Sequence, residues 1–443
     1  MNVILLSGGS GKRLWPLSND VRAKQFIKFF DNGHGEKESM VQRIYRNLKQ
    51  IDSKSNITIA SSKSQVSELK NQLGSNISIS IEPSRKDTFP AIVLACEYLK
   101  EKEGVLDEEP IIVCPVDPNV DYQYFESLKK LSDIVNTGLS NLVLMGIEPT
   151  YPSEKYGYIM PSTKDLISKV LSFKEKPVAE IAKEYIAKGA LWNGGIFGFK
   201  LGYLLKKAHK LIDFCDYDDL FNKYETLNKI SFDYAISEKE TNISVLRFSG
   251  KWEDLGTWNS LTDSLASPII GKGIIENGSS GNHIINEQNV PVLCIGVNNV
   301  IIAASSEGIL VTSKEGSDKI KTYVDQLESP VMFAEKSWGT FQIIDKSQYC
   351  LTIKLTVLKG NHMSYHSHKR RKEIWTIMSG IGMVIVDGVR RKVKQADSIV
   401  ILPEQKHTII ADTDMSLIEI QIGEALDKND KNKYSFVFNT EGL

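Results

Sequence analysis

The sequence predicts an α/β domain with a mostly parallel sheet, followed by a β-rich connecting domain and a small C-terminal antiparallel β-barrel. From residue 1 to about 265, short apolar runs rich in β-branched residues alternate with longer amphipathic stretches, as expected for buried strands that are each followed by a helix. Beyond residue 266 the helical periodicity fades and short strand-like runs dominate. A chain of 443 residues is also too long to fold around a single hydrophobic core, so two or three domains are expected.

Composition and charge exclude several functional classes. The chain has 41% hydrophobic and 25% charged residues, which is typical of a soluble globular protein. Its 54 basic and 55 acidic residues nearly cancel, so neither nucleic acid nor a membrane is expected as a partner. The apolar run before the first glycines is too short for a signal-peptide core, and no run of about 18 apolar residues follows, so a cytoplasmic location is expected. The widely spaced cysteines favour neither disulfides nor a thiolate metal site: Cys96, Cys114, Cys215, Cys294 and Cys350.

The changes in pattern predict domains at residues 1–265, 266–330 and 331–423, with a polar tail at 424–443. The tail is expected to be loosely held, because it is polar apart from Phe436-Val437-Phe438. A charged stretch, Lys314–Glu328, is interpreted as a helix or a linker. The strands of the predicted barrel are Leu351–Leu358, Trp375–Met378, Met383–Val386, Ser398–Leu402 and Leu417–Ile422.

The first strand, Val3–Leu6, leads directly into a glycine-rich, cationic turn with the sequence SGGSGKRLWPLS. Glycines allow positive φ and a close approach of backbone N–H groups to an anion, and the two cations add charge. The turn is therefore predicted to hold the phosphates of a nucleotide. The residues that would form this phosphate site are Gly8, Gly9, Gly11, Lys12 and Arg13.

This turn matches neither of two better-known phosphate-binding patterns. The dinucleotide fingerprint needs a third glycine, which is missing after Gly11. The P-loop needs Ser or Thr after its lysine, and Arg13 stands there instead. On these residues alone, an ordinary glycine-rich strand-to-helix turn remains an alternative.

Further charged residues follow predicted strands at the same sheet edge. Lys24, in Lys24-Gln25-Phe26, can bring a second ammonium to a polyphosphate, although one lysine in a polar segment is usually solvated. The polar run Glu82–Thr88 follows the strand Ile77–Ile81 and precedes an apolar helix.

Two carboxylates come from distant parts of the first domain. Asp117 follows a buried strand, and Asp254 precedes a glycine turn. Such a pair can share one magnesium ion with substrate phosphates, whereas each carboxylate alone is more often a helix cap or turn residue.

The predicted barrel contains His366 and His368, which alternation places on one face of a strand, followed by Glu373 and His407. Three imidazoles and a carboxylate suit a divalent transition metal such as zinc, iron, nickel or manganese. Two histidines at i and i+2 alone are often surface or capping residues, but the set of four favours a metal site. Their spacing and residue types resemble the cupin pattern.

Taken in order, the motifs of the chain resemble the sugar-nucleotide pyrophosphorylases, and within them the mannose-1-phosphate guanylyltransferases of the longer bacterial type. The resemblance implies a Rossmann-like nucleotidyltransferase domain that makes GDP-mannose and pyrophosphate from GTP and mannose 1-phosphate. The motifs that carry it are SGGSGKRLWPLS, KQF, EPSRKDT, Asp117, Lys155–Ile159, Phe173–Pro177, Trp192–Phe197, Asp233-Tyr234-Ala235 and Trp252–Trp258.

The resemblance also implies a role for each matching residue. Leu6 to Arg13 and Lys24 would hold the base and phosphates of the guanine nucleotide, with Arg13 on the departing pyrophosphate. Arg85 would help to fix the nucleotide, and Asp117 and Asp254 would bind Mg²⁺. Gly157, Glu175 and Asn193 would hold sugar hydroxyls, and Lys176 would neutralise the sugar phosphate.

The chain departs from the family pattern in several places. Ala23 replaces a proline, Pro118 a histidine and Gly194 a serine. In two-function relatives the barrel is a mannose-6-phosphate isomerase, but here His366 replaces a glutamine and no arginine follows Arg391. We therefore expect the metal site to persist and the isomerase to be impaired or lost.

Three alternatives stay open at this point. One is an enzyme with both activities, and another is a nucleotidyltransferase for a different hexose 1-phosphate. The third is a sugar-binding or regulatory cupin that carries an inactive transferase domain. The sequence also leaves a homo-oligomer open.

Overall fold

The computed structural model describes residues 1–9, 11–19, 21–327, 331–424, 426 and 428–436, with the backbone alone at residues 11, 12 and 428. The chain divides into two units. The first comprises Met1–Leu14 and Ala23–Ala266, and the second comprises Trp15–Arg22 and the chain from Ser267 onward. A short piece of the N-terminal loop thus belongs to the second unit. Among the described residues, no helix combines the length and hydrophobicity that a bilayer-spanning segment needs.

The first unit alternates strands with helices, as the sequence predicts. Its strands are β1 (Asn2–Leu6), β2 (Lys28–Asp31), β3 (Lys37–Ser39), β4 (Asn56–Ser62), β5 (Ser78–Glu82), β6 (Pro110–Pro115), β7 (Pro118–Val120), β8 (Leu142–Ile147), β9 (Gly157–Pro161), β10 (Ile167–Lys174), β11 (Leu191–Lys200), β12 (Ile243–Phe248) and β13 (Trp252–Asp254). Its helices are α1 (Met40–Ile51), α2 (Val66–Leu73), α3 (Thr88–Lys102), α4 (Tyr122–Asn136), α5 (Ala179–Ala187), α6 (Leu201–Ala208), α7 (Tyr217–Lys223) and α8 (Trp258–Asp263).

Within the described residues, nine of these strands form one sheet in the order β5-β4-β1-β6-β11-β8-β12-β10-β9. Strands β5, β4, β1 and β6 are mutually parallel, and β8 is parallel to β12. Strand β11 is antiparallel to its neighbours β6 and β8. Strand β10 is also antiparallel to its neighbours β12 and β9, so seven of the nine strands run in one direction, and the expected mostly parallel sheet is confirmed in this sense. Leu6 lies opposite Ala60 and Pro115, so three strands end together and their following loops share one edge.

The central strands are buried on both sides, which explains why they are continuous apolar runs. Val3 and Leu5 of β1 belong to the hydrophobic core that contains Val41 of α1. Ile4, between them in sequence, belongs to the core on the opposite face, with Val93 of α3. Alternate residues of the same strand therefore anchor helices on opposite faces of the sheet.

The second unit is rich in strands, as expected beyond residue 266. Its helix α9 (Ile320–Val324) lies in the charged stretch for which the sequence predicts a helix or a linker. Its strands are β14 (Ile269–Ile270), β15 (Gly273–Ile275), β16 (His283–Asn286), β17 (Val292–Cys294), β18 (Val300–Ser305), β19 (Gly308–Ser313), β20 (Phe333–Lys336), β21 (Gly339–Lys346), β22 (Cys350–Val357), β23 (His366–His368), β24 (Arg371–Ser379), β25 (Ile381–Val386), β26 (Val389–Lys394), β27 (Ser398–Ile401), β28 (His407–Ala411), β29 (Met415–Gly423) and β30 (Lys431–Lys433).

The C-terminal strands form the predicted antiparallel barrel from two sheets. In the described part of the chain, these sheets have the orders β20-β21-β22-β29-β24-β27 and β26-β25-β28-β23-β30. Leu355, Trp375, Ile377 and Ile409 are buried in a common core. Because side chains alternate along each strand, the same strands can also direct polar groups into the interior.

The expectation of a loosely held tail is wrong for residues 431–433. Asn432 of β30 pairs with Ser367 of β23, so this piece of the tail completes a sheet. The Asp430 carboxylate also accepts hydrogen bonds from the backbone N–H groups of Lys369 (3.1 Å) and Arg370 (3.2 Å). The open edge of β23 supplies backbone partners that a polar segment can use without hydrophobic residues. Residues 437–443 lie outside the described residues, and the other predicted domain boundaries stay predictions.

Leu144 tests the central position of β8 because it is fully buried, whereas Leu139 is 57% exposed. We expect Leu144→Ala to lower the free energy of unfolding by about 3 kcal/mol, because a large side chain leaves a cavity. Leu139→Ala should change it by less than about 0.5 kcal/mol. Differential scanning calorimetry of both variants checks this, and equal losses would contradict the placement.

Candidate active site and candidate metal centre

The glycine-rich loop begins where β1 ends and is fixed by backbone and amide contacts. The backbone N–H of Ser7 donates to the carbonyl of Ala60 at the end of β4 (2.9 Å). The buried Gln25 amide donates to the Ser7 carbonyl (2.7 Å). At Gly8, a Cβ atom would lie 3.1 Å from Oε1 of Glu82, so the loop backbone passes close to the end of β5. A side chain at position 8 would therefore meet that carboxylate.

The other predicted nucleotide residues differ in how the structure constrains them. Arg13 and Arg85 are exposed, and the charge of Arg85 acts on Glu82. Around Gly9, a Cβ atom would meet nothing within 4 Å among the described residues. Leu6 ends β1 at the shared sheet edge, and the side chain of Lys12 lies outside the described residues. Of these two glycines, Gly8 has a close neighbour and Gly9 has none among the described residues.

Sequence reasoning assigned no role to Glu82, although it quoted the motif that contains it. Its carboxylate accepts a hydrogen bond from the hydroxyl of Tyr224 (3.1 Å). Burial raises the pKa of Glu82 to about 7. A carboxyl group with a perturbed pKa beside a predicted ligand loop is a typical feature of functional sites.

Three predicted catalytic side chains meet at this sheet edge. The Lys24 ammonium lies 2.7 Å from Oδ2 of Asp117 and 3.7 Å from Oδ1 of Asp254. Lys24 also donates to the Leu255 carbonyl (3.4 Å). Asp117 immediately precedes β7 and Asp254 ends β13, and these strands pair so that Asp254 lies opposite Pro118. The pairing of β7 with β13 brings together carboxylates that are far apart in sequence.

The charges of these three groups are mutually dependent. Burial lowers the pKa of Lys24, but the carboxylates of Asp117 and Asp254 outweigh it, so the pKa of Lys24 is raised. Burial raises the pKa of Asp254, and the charge of Asp117 adds to the effect while Lys24 opposes it. Two adjacent carboxylates that require a cation form an oxygen donor set that suits Mg²⁺.

Asn119 and Glu253 stabilise the paired strands β7 and β13, and sequence reasoning missed both. The Asn119 amide donates to Oε2 of Glu253 (2.8 Å), which lies opposite it in register. Arg43 of α1 donates to the amide oxygen of Asn119 (2.9 Å), and the Ser264 hydroxyl donates to Glu253 (2.9 Å). Glu253 adjoins Asp254 and Asn119 is two residues from Asp117, but only the strand register indicates that they pair.

The predicted sugar residues form a second polar cluster. Gly157 of β9 lies opposite Asn193 of β11. A Cβ atom at position 157 would lie 2.5 Å from Oε2 of Glu175, so only glycine leaves room for that carboxylate. The Lys176 ammonium lies 2.6 Å from Oε1 of Glu175, and Lys176 has a positive φ of 41°.

Asp233 joins this cluster, although its motif was quoted without a role for it. The Asn193 amide donates to Oδ1 of Asp233 (2.8 Å). Burial and then the charge of Glu175 raise the pKa of Asp233 to about 6. A set of carboxylates, an amide and an ammonium offers both acceptors and donors for a polyhydroxylated ligand that carries an anionic group.

Aromatic rings connect the sugar cluster to β13. Tyr156 contacts both Trp252 of β13 and Trp192 of β11, with ring centroids 5.4 Å and 4.9 Å away. A Cβ atom on Gly194 would lie 2.9 Å from Ile196 Cδ1 and 3.3 Å from Trp252 Cζ2. The glycine that replaces the family's serine is therefore closely packed in this chain.

The three histidines of the barrel form a buried cluster with matching tautomers. One nitrogen from each of His366, His368 and His407 lies within 4.8 Å of the others. Each Nδ1 lies within hydrogen-bond distance of a backbone carbonyl: Ser364 (2.7 Å), Asp430 (2.9 Å) and Gln405 (2.9 Å). Because Nδ1 donates to a carbonyl, each Nε2 carries a lone pair that can bind a metal, and the lone pair of His368 accepts from Arg371 at 3.1 Å.

Glu373, the fourth predicted ligand, lies beside two of these histidines. Its Oε1 lies 3.0 Å from Nε2 of His368, and its Oε2 lies 3.3 Å from Nε2 of His407. The His407 Nε2 atom is buried without a hydrogen-bond partner among the described groups. These four side chains fit a transition-metal ion. The Arg371 guanidinium lies 3.1 Å from His368 Nε2 and 3.3 Å from Glu373 Oε1.

Further buried polar groups surround this cluster, and sequence reasoning did not identify them. Strand β29 alternates so that Met415, Leu417, Glu419 and Gln421 face the interior, and the Gln421 amide donates to Glu419 (2.5 Å). Burial and then the charge of Glu373 raise the pKa of Glu419 to about 8. The two polar residues at interior positions of an alternating strand were a usable sequence signal.

Similarity to known proteins covers nearly the whole chain. Mannose-1-phosphate guanylyltransferase of Escherichia coli is 26% identical over 471 residues, covering 98% of this chain and 97% of that protein. Alginate biosynthesis protein AlgA of Pseudomonas aeruginosa is also 26% identical, covering 98% and 96%. A crystal structure described as mannose-1-phosphate geranyltransferase from Thermus thermophilus matches with a TM-score of 0.61 and 26% identity, covering 74% of this chain and 99% of that one.

Two family models match separate parts of the chain. The model described as mannose-6-phosphate isomerase C-terminal matches residues 328–435, which include the histidine cluster. The model described as nucleotidyl transferase matches residues 2–267, which include the glycine-rich loop, the paired carboxylates and the sugar cluster. The second of these matches spans more than half of the sequence, so the chain belongs to the nucleotidyl transferase family.

Proposed function

We propose that this protein transfers GMP from GTP to mannose 1-phosphate and releases GDP-mannose and pyrophosphate. The observation that carries the proposal is the meeting of Lys24, Asp117 and Asp254 beside the glycine-rich loop. These three side chains offer one cation and two metal ligands where a nucleoside triphosphate would enter. The curated relatives that bear the name of this activity support the choice of substrates.

The proposed chemistry needs alignment and charge neutralisation, and no protein nucleophile. An oxygen of the sugar phosphate attacks the α-phosphorus of GTP while the bond from that phosphorus to the β-phosphate oxygen breaks. Arg13 and Lys24 neutralise the triphosphate, and Arg13 stabilises the leaving pyrophosphate. Asp117 and Asp254 would hold Mg²⁺, which when bound would offset the negative charge on the reacting phosphates.

The sugar cluster supplies the second substrate site. Lys176 neutralises the phosphate of the sugar, while Glu175 and Asn193 bind its hydroxyl groups. The missing side chain at Gly157 leaves space for Glu175, as its contact distance requires. The hydrogen bond between Asn193 and Asp233 fixes the amide so that its remaining groups can face a ligand.

Substrate preference tests the proposed function directly. We expect pyrophosphate release to be fastest with GTP and mannose 1-phosphate, at least about tenfold above any other combination, because both halves of the site bind matched groups. The measurement is a coupled pyrophosphate assay with four nucleoside triphosphates against mannose, glucose and fucose 1-phosphates. Activity restricted to dTTP and glucose 1-phosphate would contradict the proposal.

The paired carboxylates should be essential for turnover. We expect Asp117→Asn and Asp254→Asn each to lower kcat by about 10²- to 10³-fold, because each loses a charge that binds the metal and organises Lys24. The exposed Asp133 of α4 supplies the control, since Asp133→Asn should keep full activity. Steady-state kinetics with a thermal melt of each variant checks this, and unchanged turnover would remove the carboxylate from the proposed metal site.

We also propose that the barrel binds one transition-metal ion, with zinc, iron, nickel and manganese as candidates. The observation in favour is that three buried imidazoles place one nitrogen each within 4.8 Å of the others, beside Glu373. We expect this chain to have little or none of the isomerase activity that two-function relatives have, because no arginine follows Arg391.

Metal content and isomerisation test this second site separately. We expect about one equivalent of metal by mass spectrometry after supplementation, and its loss in His368→Ala, because three ligands bind far less tightly than four. The exposed His34 supplies the control variant His34→Ala. Conversion of mannose 6-phosphate to fructose 6-phosphate should stay near background. Robust conversion that His368→Ala abolishes would show that another residue replaces the missing arginine.

A further inference from the structure

The segment Trp15–Arg22 lies between Arg13 and Lys24 in the chain and is held by contacts internal to the second unit. Asn19 is central to these contacts. Its side-chain oxygen accepts hydrogen bonds from the backbone N–H groups of Val21 (2.8 Å) and Arg22 (2.7 Å), which closes a tight turn. Its amide donates to Oε1 of Glu307, in the turn between β18 and β19 (2.8 Å).

Glu307 connects this turn to the start of the barrel. Besides Asn19, its Oε1 atom accepts hydrogen bonds from the backbone N–H groups of Met332 (2.9 Å) and Phe333 (3.0 Å). The Asn19 amide also donates to the carbonyl of Phe333 (3.1 Å). One carboxylate oxygen therefore holds three N–H groups from two parts of the chain.

Other contacts hold both ends of the segment. Arg22 forms a bidentate ion pair with Glu287, with N–O distances of 2.8 Å and 2.9 Å. Near the other end, the Ser305 hydroxyl donates to the Pro16 carbonyl (2.5 Å). The segment is thus tied to the rest of the second unit at Pro16, Asn19 and Arg22.

These contacts constrain the catalytic cations through the covalent chain. Arg13 stands two residues before the segment and Lys24 two residues after it. Consecutive Cα atoms are about 3.8 Å apart, so the Cα atoms of Arg13 and Lys24 can each lie no more than about 8 Å from the Cα atom at the nearer end of the segment. The spacing between the two ends of the segment therefore limits how far apart the backbones of Arg13 and Lys24 can lie.

We propose that Glu307 and Asn19 are positioning residues for the nucleotide half of the transferase site. They hold the segment Trp15–Arg22 in the conformation that lets Arg13 and Lys24 face the same triphosphate. The nature of the nucleotide in this inference rests on the proposed function. The positioning role itself applies to whichever nucleotide the site accepts.

A positioning role predicts a specific kinetic signature. Loss of the Glu307 carboxylate leaves three N–H groups without their acceptor, which lowers the fraction of molecules that have the competent conformation. The apparent affinity for the nucleotide falls in proportion to that fraction. Saturating nucleotide shifts all molecules back to the competent conformation. The KM for the nucleotide should therefore rise while kcat and the KM for the sugar phosphate stay nearly constant.

The test compares Glu307→Ala, Glu307→Gln and Glu315→Ala. We expect Glu307→Ala to raise the KM for GTP about tenfold, with kcat and the KM for mannose 1-phosphate within about twofold. Glu307→Gln keeps the accepting oxygen and should stay within about threefold of the wild-type KM. Glu315 is exposed, so Glu315→Ala should behave as the wild type.

A second variant makes the test independent of how well Glu307→Ala folds. Asn19→Ala removes the other partner and should raise the KM for GTP in the same direction. The double variant Asn19→Ala/Glu307→Ala should show less than the product of the two effects, because both remove one interaction. A lower kcat or Tm with an unchanged KM for GTP in both single variants would overturn the positioning role.

The outcome can be separated from that of the proposed function. The wild type is first assayed with the four nucleotides and three sugar phosphates. If it prefers another pair, the GTP assignment fails, and the variants are compared with the preferred nucleotide instead. If it turns over no pair, calorimetric titration with GTP and Mg²⁺ replaces KM, and equal dissociation constants for wild type and Glu307→Ala would overturn the inference.

Discussion

The ion cluster of Lys24, Asp117 and Asp254 is the interaction on which the transferase half of the molecule depends. Two carboxylates this close repel each other, and the raised pKa of Asp254 reflects both burial and that repulsion. The Lys24 ammonium compensates them at 2.7 Å and 3.7 Å. A group that needs a cation when empty is suited to bind a metal and a polyphosphate together. Because the three charges come from separate segments, the sheet must bring their loops to one edge.

Hydrogen bonds and aromatic contacts hold the strands around this cluster. Asn119 and Glu253 hold the paired strands that carry the two carboxylates, and the aromatic contacts of Tyr156 join those strands to the sugar cluster. The barrel follows the same principle with different chemistry. Backbone carbonyls fix the tautomers of its histidines, so each Nε2 carries the lone pair that a metal ligand needs.

The sequence predicted most of the fold and the residue types of both sites. Continuous apolar strands alternating with helices indicated the parallel sheet, and alternation placed His366 and His368 on one face of a strand. It did not indicate Asn119 as a partner of Glu253, because their pairing depends on the register of β7 with β13. It also gave no reason to place Asp233 beside Asn193, because that contact joins elements 40 residues apart.

By itself, the sequence indicated the alternation of strands and helices up to about residue 265, the short strands beyond it, the candidate phosphate- and metal-binding side chains, and the family that the chain resembles. Only the tertiary structure decided that Lys431–Lys433 forms a strand and that Trp15–Arg22 belongs to the second unit. Both segments are polar or irregular and have no hydrophobic pattern of their own. Their conformations come from hydrogen bonds to distant partners, and such partners are not encoded in local periodicity.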